Sequence, residues 1–196
     1  MIDACKKCRR EGEKLMLKGE RCLSPKCAVV RKPYAPGQHG QGSFKKTTEY
    51  GRQLREKQKA KRTYGIAETQ FHNYAVAAAK TEGNTADNLL AMIESRVDNV
   101  VFRAGFAPSR SAARQLVSHG KYTINSSRVT IPSILLNEGD VVAPKKFIKS
   151  DQKNTNLPTW FTLDGKKDEI KIIHTPLKEE TETTINWNLI IEYYSR

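Results

Sequence analysis

Apolar residues recur at helical spacing in two segments of the N-terminal half of the chain. In residues 48–65, Tyr50 and Leu54 lie four positions apart among mostly polar neighbours, and Gly65 is placed to end a helix. Residues 67–83 contain a second apolar stripe with the same spacing. Its members are Phe71, Tyr74, Ala75 and Ala78. The pattern predicts two amphipathic helices that form the body of an N-terminal helical domain.

A long helix beginning at Thr85 or Asp87 is predicted next. Its apolar face consists of Leu89, Ile93, Val97, Val100 and Val101. Helix breakers occupy residues 105–108, after which Ser109 is placed to cap another helix that ends at Gly120. The run KYTINSSRVTI then alternates on both sides of Asn-Ser-Ser, which predicts a β-hairpin.

The C-terminal third alternates between short apolar runs and polar connections. The segments GDVVAPKKFI, WFTLD and EIKIIHT predict strands, whereas the final INWNLIIEYYSR fits a helix or a strand equally well. The composition changes near Gly83, which predicts a domain boundary there. We expect one domain over residues 1–84 and another over 85–184, and the pattern leaves open whether residues 185–196 pack back on the first domain.

Charge changes this picture because it is concentrated at one end. The 196 residues carry a formal net charge of +13, and residues 1–65 alone contain 18 Lys and Arg against 6 Asp and Glu, a net charge of +12. Such a field attracts polyanions, so nucleic acid is the expected partner, although a solvated basic face remains an alternative. There is no apolar run of membrane-spanning length and no secretory leader, so we expect a cytoplasmic protein with no membrane partner.

All four cysteines lie within the first 27 residues, as Cys5, Cys8, Cys22 and Cys27. Their arrangement, C-x2-C and C-x4-C separated by thirteen residues, is typical of two ligand pairs for one tetrahedral zinc ion. Four sulfur ligands leave no open coordination position, so the metal would be structural, and nearby lysines and arginines are expected to lower the thiol pKa values. Two disulfides and four free thiols are the alternatives.

Basic and aromatic residues interleave after the cysteines. The stretch RKPYAPGQHGQGSFKKTTEYG has too many prolines and glycines for a helix or strand, so we expect a loop. His39, Lys45 and Lys46 in this loop are candidates for contact with RNA, and a simple linker is the alternative. The predicted helix that follows has a cationic face: Arg52, Arg55, Lys57, Lys59, Lys61 and Arg62. Further along, Arg110 and Arg114 lie one helical turn apart, and Arg96 and Arg103 are expected on one side of their helix.

The segment ESRVDNVVFRAGFAPSRSAARQLVSHGKYTINSSRVTIPS, residues 94–133, closely resembles the small RNA-binding fold of the ribosomal S4 family. The stretches LKGERC, PGQHG, YGRQLREKQKAKRTYGI and EYYSR extend the resemblance over nearly the whole chain. It implies an α+β fold in which a helical N-terminal domain with a zinc-stapled loop region precedes an RNA-binding module of paired helices packed on a small antiparallel sheet.

The resemblance also implies a function: a structural constituent of the small ribosomal subunit that is a primary binder of 16S rRNA and nucleates assembly of the subunit in the 5′ domain. It further implies a contribution to the mRNA entry site and an effect on decoding accuracy, beside small-subunit protein five. It implies no catalysis and no small-molecule substrate. The metal pairs match Cys5, Cys8, Cys22 and Cys27. The candidate RNA-binding residues are Arg9, Arg10, Lys18, Arg31, His39, Lys45, Lys46, Arg52, Arg55, Lys57, Lys59, Arg62, Arg103, Arg110, Arg114 and Lys121.

Two other functions are compatible with the same module. Pseudouridine synthases carry it and use an aspartate in a short Arg-Leu-Asp motif, which Arg96-Val97-Asp98 resembles; however, Asp98 lies inside the module and is expected to cap a helix or pair with Arg103. The second alternative is a zinc-stapled regulator or a rescue factor for stalled large subunits. The resemblance over the full length favours the ribosomal protein.

Overall fold

The computed structural model describes residues 3–42, 48–145, 157–164, 168–181 and 184–195. Its elements divide into two compact units, Met1–Asn73 with Ile185–Arg196 and Tyr74–Thr184. The helices are α1 Ala4–Glu11, α2 Glu20–Leu23, α3 Ala28–Arg31, α4 Glu49–Tyr64, α5 Glu68–Lys80, α6 Thr85–Glu94, α7 Val97–Arg103, α8 Arg110–Ser118 and α9 Trp187–Tyr194, with a 3-10 turn at Lys178–Glu180. The strands are β1 Tyr122–Ile124, β2 Ser127–Val129, β3 Val141–Pro144, β4 Phe161–Asp164 and β5 Glu169–Ile172.

The first unit is organised around α4, whose predicted ends are confirmed. The Thr48 hydroxyl accepts a hydrogen bond from the Gly51 amide at 3.2 Å, and Gly65 ends the helix with a left-handed φ of 66°. The C-terminal segment, which fits helix or strand from sequence, forms α9 and packs against α4. Its buried residues Trp187 and Ile190 are three positions apart, so a helix turns both toward the same neighbour.

In the second unit, the single long helix expected from residue 85 onward is wrong, because the chain forms α6 and α7 with a break between them. Arg96 is extended, with φ −64° and ψ 136°. The backbone at the break pairs with residues 134–136: the Val97 amide donates to the Ile134 carbonyl at 3.0 Å, and the Leu136 amide donates to the Ser95 carbonyl at 2.9 Å. This distant pairing replaces the helical hydrogen bonds. The cap of α6 is Asn84 rather than Thr85 or Asp87.

The predicted cap of α8, hairpin and strands of this unit are confirmed. Ser109 caps α8 through the Ala112 amide, and five antiparallel strands form one sheet in the order β2-β1-β3-β5-β4. Asn125 and Ser126 make the hairpin turn with φ values of 49° and 68°, the left-handed pair that a two-residue type I′ turn requires. One sheet face packs on α7 and α8 around the buried side chains Val97, Val101, Val117, Tyr122, Val142, Trp160 and Ile170. The expected α+β architecture is therefore observed.

Across the parts of the chain that the structure describes, no helix is long and apolar enough to cross a membrane.

Candidate RNA-binding surface and cysteine pocket

The four cysteines line one small pocket at the N-terminal end of the first unit. Cys5 and Cys8 lie one turn apart on α1, Cys22 lies on α2, and Cys27 directly precedes α3. All four are free thiols, and all except Cys5 are buried. Among the described residues, no three or more Cys, His, Asp or Glu side chains are placed so that they could hold a metal ion. The fold thus gathers the sulfurs around one cavity without placing them in a coordination geometry.

The environment of Cys8 differs from the one expected from sequence. Burial raises the pKa of the Cys8 thiol; the Leu15 backbone amide acts against this, and the nearby sulfurs of Cys22, Cys5 and Cys27 act with it. The expectation that surrounding cations lower the thiol pKa values is therefore wrong for Cys8. Burial and the other three sulfurs, rather than the nearby cations, determine the direction of the pKa shift at Cys8.

Arg9 holds the loop that follows the cysteines. Its Nε donates to the carbonyls of Lys32 at 3.1 Å and Tyr34 at 3.0 Å, and its guanidinium lies 4.8 Å from the centre of the Tyr34 ring. At the far end of the loop, a methyl group on Gly40 would meet the Ala35 carbonyl oxygen at 1.9 Å, so only glycine fits there. The loop is a compact turn that exposes the His39 side chain.

Most cations on α4 are paired inside the first unit. Lys57 and Lys59 are each only 4% exposed, and their ammonium groups contact Glu68 at 2.5 Å and Glu13 at 2.8 Å. Arg55 and Arg62 both contact the nearly inaccessible carboxylate of Glu11. The expectation that α4 presents an open cationic face is wrong for these residues, because buried charge needs a carboxylate partner. Whether they also contact RNA stays a prediction.

Glu68 connects α4 to the C-terminal helix. It accepts hydrogen bonds from Lys57, from Lys61 at 2.8 Å and from the Tyr194 hydroxyl at 3.1 Å. Burial alone would raise the pKa of Glu68, but the two ammonium donors outweigh it and lower the pKa to about 2. Lys57 also lies 4.4 Å from the centre of the Tyr193 ring. This cluster fixes the last turn of the chain against α4.

A buried polar network supports two arginines of the α7–α8 pair. Glu94 is fully buried and accepts from Arg103 through both carboxylate oxygens, at 2.6 and 3.1 Å. The Asn99 amide nitrogen donates to the same carboxylate at 2.6 Å and to the Glu94 carbonyl at 3.0 Å, while its oxygen accepts from Arg110 Nε at 2.8 Å. Arg110 also lies 4.5 Å above the Phe102 ring. The network therefore fixes the directions of Arg103 and Arg110 from within the core.

Arg96 does not share a side with Arg103 as expected. Arg96 is 1% exposed, and it makes two hydrogen bonds to Asp98, at 3.0 and 2.7 Å, and one to the Tyr74 hydroxyl at 2.9 Å. The expected pairing of Asp98 with Arg103 is wrong, since Asp98 pairs with Arg96 and lies 3.9 Å from Arg114. The break before α7 turns Arg96 inward, which no periodic pattern reveals.

The other candidate RNA-binding residues are distributed over the two units. Seven of them are exposed: Arg10, Lys18, Arg31, His39, Arg52, Arg114 and Lys121. Two of these form surface ion pairs in the first unit, Lys18 with Asp3 and Arg52 with Glu49. Lys45 and Lys46 lie outside the described residues. Sequence reasoning missed Glu94 and Asn99, which hold Arg103 and Arg110, because a buried acid or amide carries no pattern of its own.

Comparison with known proteins agrees with this arrangement of a basic helical unit and a helix pair on a sheet. The model of the ribosomal protein S4/S9 N-terminal domain matches residues 3–94, and that of the S4 domain matches residues 95–142. These matches define the chain as a ribosomal protein with an RNA-binding S4 domain.

Curated relatives match along almost the whole length. The small ribosomal subunit protein uS4 of Acetivibrio thermocellus is 51% identical, covering 98% of this chain and 97% of the relative; that of Syntrophomonas wolfei is 47% identical, covering 98% and 96%. The protein named uS4A of Alkaliphilus metalliredigens is 51% identical with coverage of 98% and 96%. The chain belongs to the ribosomal protein uS4 family, and is thus a structural, non-enzymatic constituent of the small subunit of the cytoplasmic ribosome.

Proposed function

We propose that this protein is a primary binder of 16S rRNA that nucleates assembly of the small subunit in the 5′ domain. The observation that carries the proposal is the buried Glu94–Asn99 network, which holds Arg103 and Arg110 in fixed directions on the α7–α8 pair. An arginine with a fixed guanidinium loses less rotamer entropy when it contacts a phosphate. The net charge of +12 in residues 1–65 supplies the long-range attraction.

Footprinting tests this function directly. The purified chain is bound to full-length 16S rRNA and, in parallel, to a 5′-domain fragment, and backbone cleavage by hydroxyl radicals is compared with and without protein. Protection confined to the 5′ domain, unchanged when other small-subunit proteins are absent, is the expected result. Protection that appears only after another protein is added would contradict primary binding. Retention of one copy on salt-washed small subunits distinguishes a constituent from a factor.

We also propose that the cysteine pocket holds a structural zinc ion. The donor set fits: four thiols, from α1, α2 and the residue before α3, line one cavity, with no carboxylate among its lining residues. When bound, the ion would cross-link α1, α2 and the start of α3, a segment that buries few large apolar side chains and gains folding free energy from a metal. Cys5, Cys8, Cys22 and Cys27 would be the ligands, and the ion would take no part in catalysis.

Two finer roles follow only from the family resemblance. Lys45 and Lys46 would line the mRNA entry site, and a surface of the second unit would contact small-subunit protein five and thereby affect decoding accuracy. Cross-linking from a photoreactive residue at position 45, in reconstituted subunits carrying a structured message, tests the first role. Cross-links found only at message positions outside the entry site would contradict this role.

A further inference from the structure

The first unit is assembled from two pieces of chain that lie far apart in the sequence. It consists of Met1–Asn73 and Ile185–Arg196, whereas the second unit, Tyr74–Thr184, is one continuous stretch. Hydrogen bonds join the two pieces of the first unit across 126 to 139 positions. The whole second unit therefore lies between them in the sequence, and none of these bonds can form before residues 185–196 have been made.

The C-terminal piece supplies much of the apolar core of the first unit. Apart from cysteines and alanines, seven apolar side chains of this unit are buried among the described residues, and three of them come from the C-terminal piece. The ring centres of Tyr64 and Trp187 lie 6.1 Å apart across the junction of the two pieces. Without the C-terminal piece, residues 1–73 would bury too little apolar surface to offset the entropy of ordering them. The seven are Leu15, Tyr64, Ile66, Phe71, Ile185, Trp187 and Ile190.

The face of α4 that meets α9 is partly polar. Gln53 and Lys57, one helical turn apart, are 2% and 4% exposed. The Gln53 amide donates to the Glu192 carboxylate at 3.1 Å, and the Lys57 ammonium lies 4.4 Å from the centre of the Tyr193 ring. In the absence of α9 both polar groups would be hydrated, so an uncovered α4 would gain little from packing on its own.

We propose that Ile185–Arg196, which we call the C-terminal latch, makes the first unit fold last although most of it is translated first. The second unit, which contains the S4 domain, needs no later segment and can fold once residue 184 is available, because domains fold as units during synthesis. Residues 1–73 become ordered only with the latch. A chain that stops before residue 185 would thus carry a folded S4 domain beside an unfolded N-terminal segment.

Chains stalled on the ribosome test this order of folding. Both samples contain residues 1–196 followed by a Gly/Ser linker: in one, the linker is just long enough for residue 184 to leave the exit tunnel, and in the other it also releases the latch. Trypsin cleaves after Lys and Arg, which are frequent in α4. Cleavage within α4 is expected to slow by about tenfold or more when the latch is released, with equal cleavage of the second unit in both samples. Equal cleavage of α4 in both samples would overturn the proposal.

Ile190→Ala in the released full-length chain measures the same dependence without the ribosome. This residue of the latch is fully buried, so its truncation is expected to lower the hydrogen-exchange protection of α4 by about tenfold or more and to leave that of α7 and α8 unchanged. The matched control is Ile173→Ala, the same substitution at a residue of the second unit that is 48% exposed, and it should leave α4 unchanged.

The two units respond separately if the latch acts as proposed. Loss of protection in α4, α7 and α8 together in Ile190→Ala would show that the two units fold as one, and the inference would fail. Neither measurement involves RNA, so this failure would leave the proposed function standing.

Discussion

The Nε of Arg110 donates a 2.8 Å hydrogen bond to the side-chain oxygen of Asn99, a residue that is 1% exposed. Both hydrogens of the Asn99 amide are used by Glu94, so the amide cannot turn over without losing three hydrogen bonds. A buried side chain thereby fixes the direction of an arginine on the candidate RNA-binding surface. Asn99 is a positioning residue, and its effect on RNA should pass through Arg110.

A double-mutant cycle checks this relationship. Asn99→Ala is expected to weaken binding to the 5′-domain RNA by roughly 5- to 10-fold in the wild-type background and by less than about 2-fold when Arg110 is already alanine. The stability cost of Asn99→Ala, about 1 to 3 kcal/mol from the two hydrogen bonds that the Glu94 carbonyl and carboxylate lose, should be similar in both backgrounds. Additive effects on affinity would show that Asn99 acts only by stabilising the fold.

Arg110→Lys gives a second test of the contact between Arg110 and Asn99. Lysine keeps the charge but lacks the Nε–H group that donates to the Asn99 oxygen. We expect it to bind RNA more weakly than wild type and to resemble Asn99→Ala in affinity. Asn88→Ala, which removes an amide that donates to the Thr81 and Glu82 carbonyls of the same unit, is the control and should leave affinity unchanged.

The first unit should lose stability in acid through Glu68. Its folded-state pKa of about 2 lies below the usual value of 4.5, so the ionised form stabilises the fold. That contribution is present above about pH 4.5 and is lost as pH falls toward 2. Because the side chain is 43% exposed, we expect about 1 to 2 kcal/mol rather than the full value of the shift.

Chemical unfolding between pH 7 and pH 2 measures this contribution. Glu68→Gln should be less stable than wild type at pH 7, and the two free energies of unfolding should converge as pH approaches 2. Glu49→Gln is the control, since among the described residues its carboxylate forms an ion pair with Arg52 only, at 3.8 Å on the surface. A difference between Glu68→Gln and wild type that stays constant across this range would contradict the proposed role of the ionised carboxylate.

Metal content and stability should change together in the cysteine pocket. The purified chain is expected to contain about one zinc per molecule, and Cys22→Ser should remove it and lower the unfolding temperature of the first unit. Val29→Ala, which alters the pocket lining without removing a sulfur, should keep the metal. A chain that is free of metal after purification under reducing conditions, yet folds with protected amides in α1 to α3, would rule out the structural zinc.

Local signals in the sequence predicted the elements that local interactions stabilise. The caps Thr48 and Ser109, the stop at Gly65 and the strand segments are confirmed because each depends on residues within a few positions. The break before α7 was missed because it depends on backbone pairing with residues 134–136, about 40 positions away. Hydrophobic periodicity continues across the break, so the pattern alone predicts one helix.

The sequence predicted those residues of the candidate RNA-binding surface that are exposed cations. The cysteine spacing predicted that four sulfurs share one site, and they line one pocket. Arg103 and Arg110 lie on the α7–α8 pair as expected, and their contact with RNA stays a prediction. The sequence does not show which cations are internal: the same basic run contains Arg52, which is exposed, and Lys57, which is buried against Glu68. That distinction arises from the packing of α9, whose place in the fold no local pattern specifies.

This distinction gives a final prediction about RNA affinity. If roughly 6 to 10 phosphates are neutralised, affinity should fall by about a thousandfold or more between about 50 and 200 mM salt. Arg52→Met should reduce the slope by about 1, whereas Lys57→Met, which removes the same charge from a residue that is 4% exposed, should lower stability and leave the slope unchanged. Equal slopes for the two variants would mean that Lys57 leaves Glu68 to contact RNA, and the internal ion pair would then be a feature of the unbound protein only.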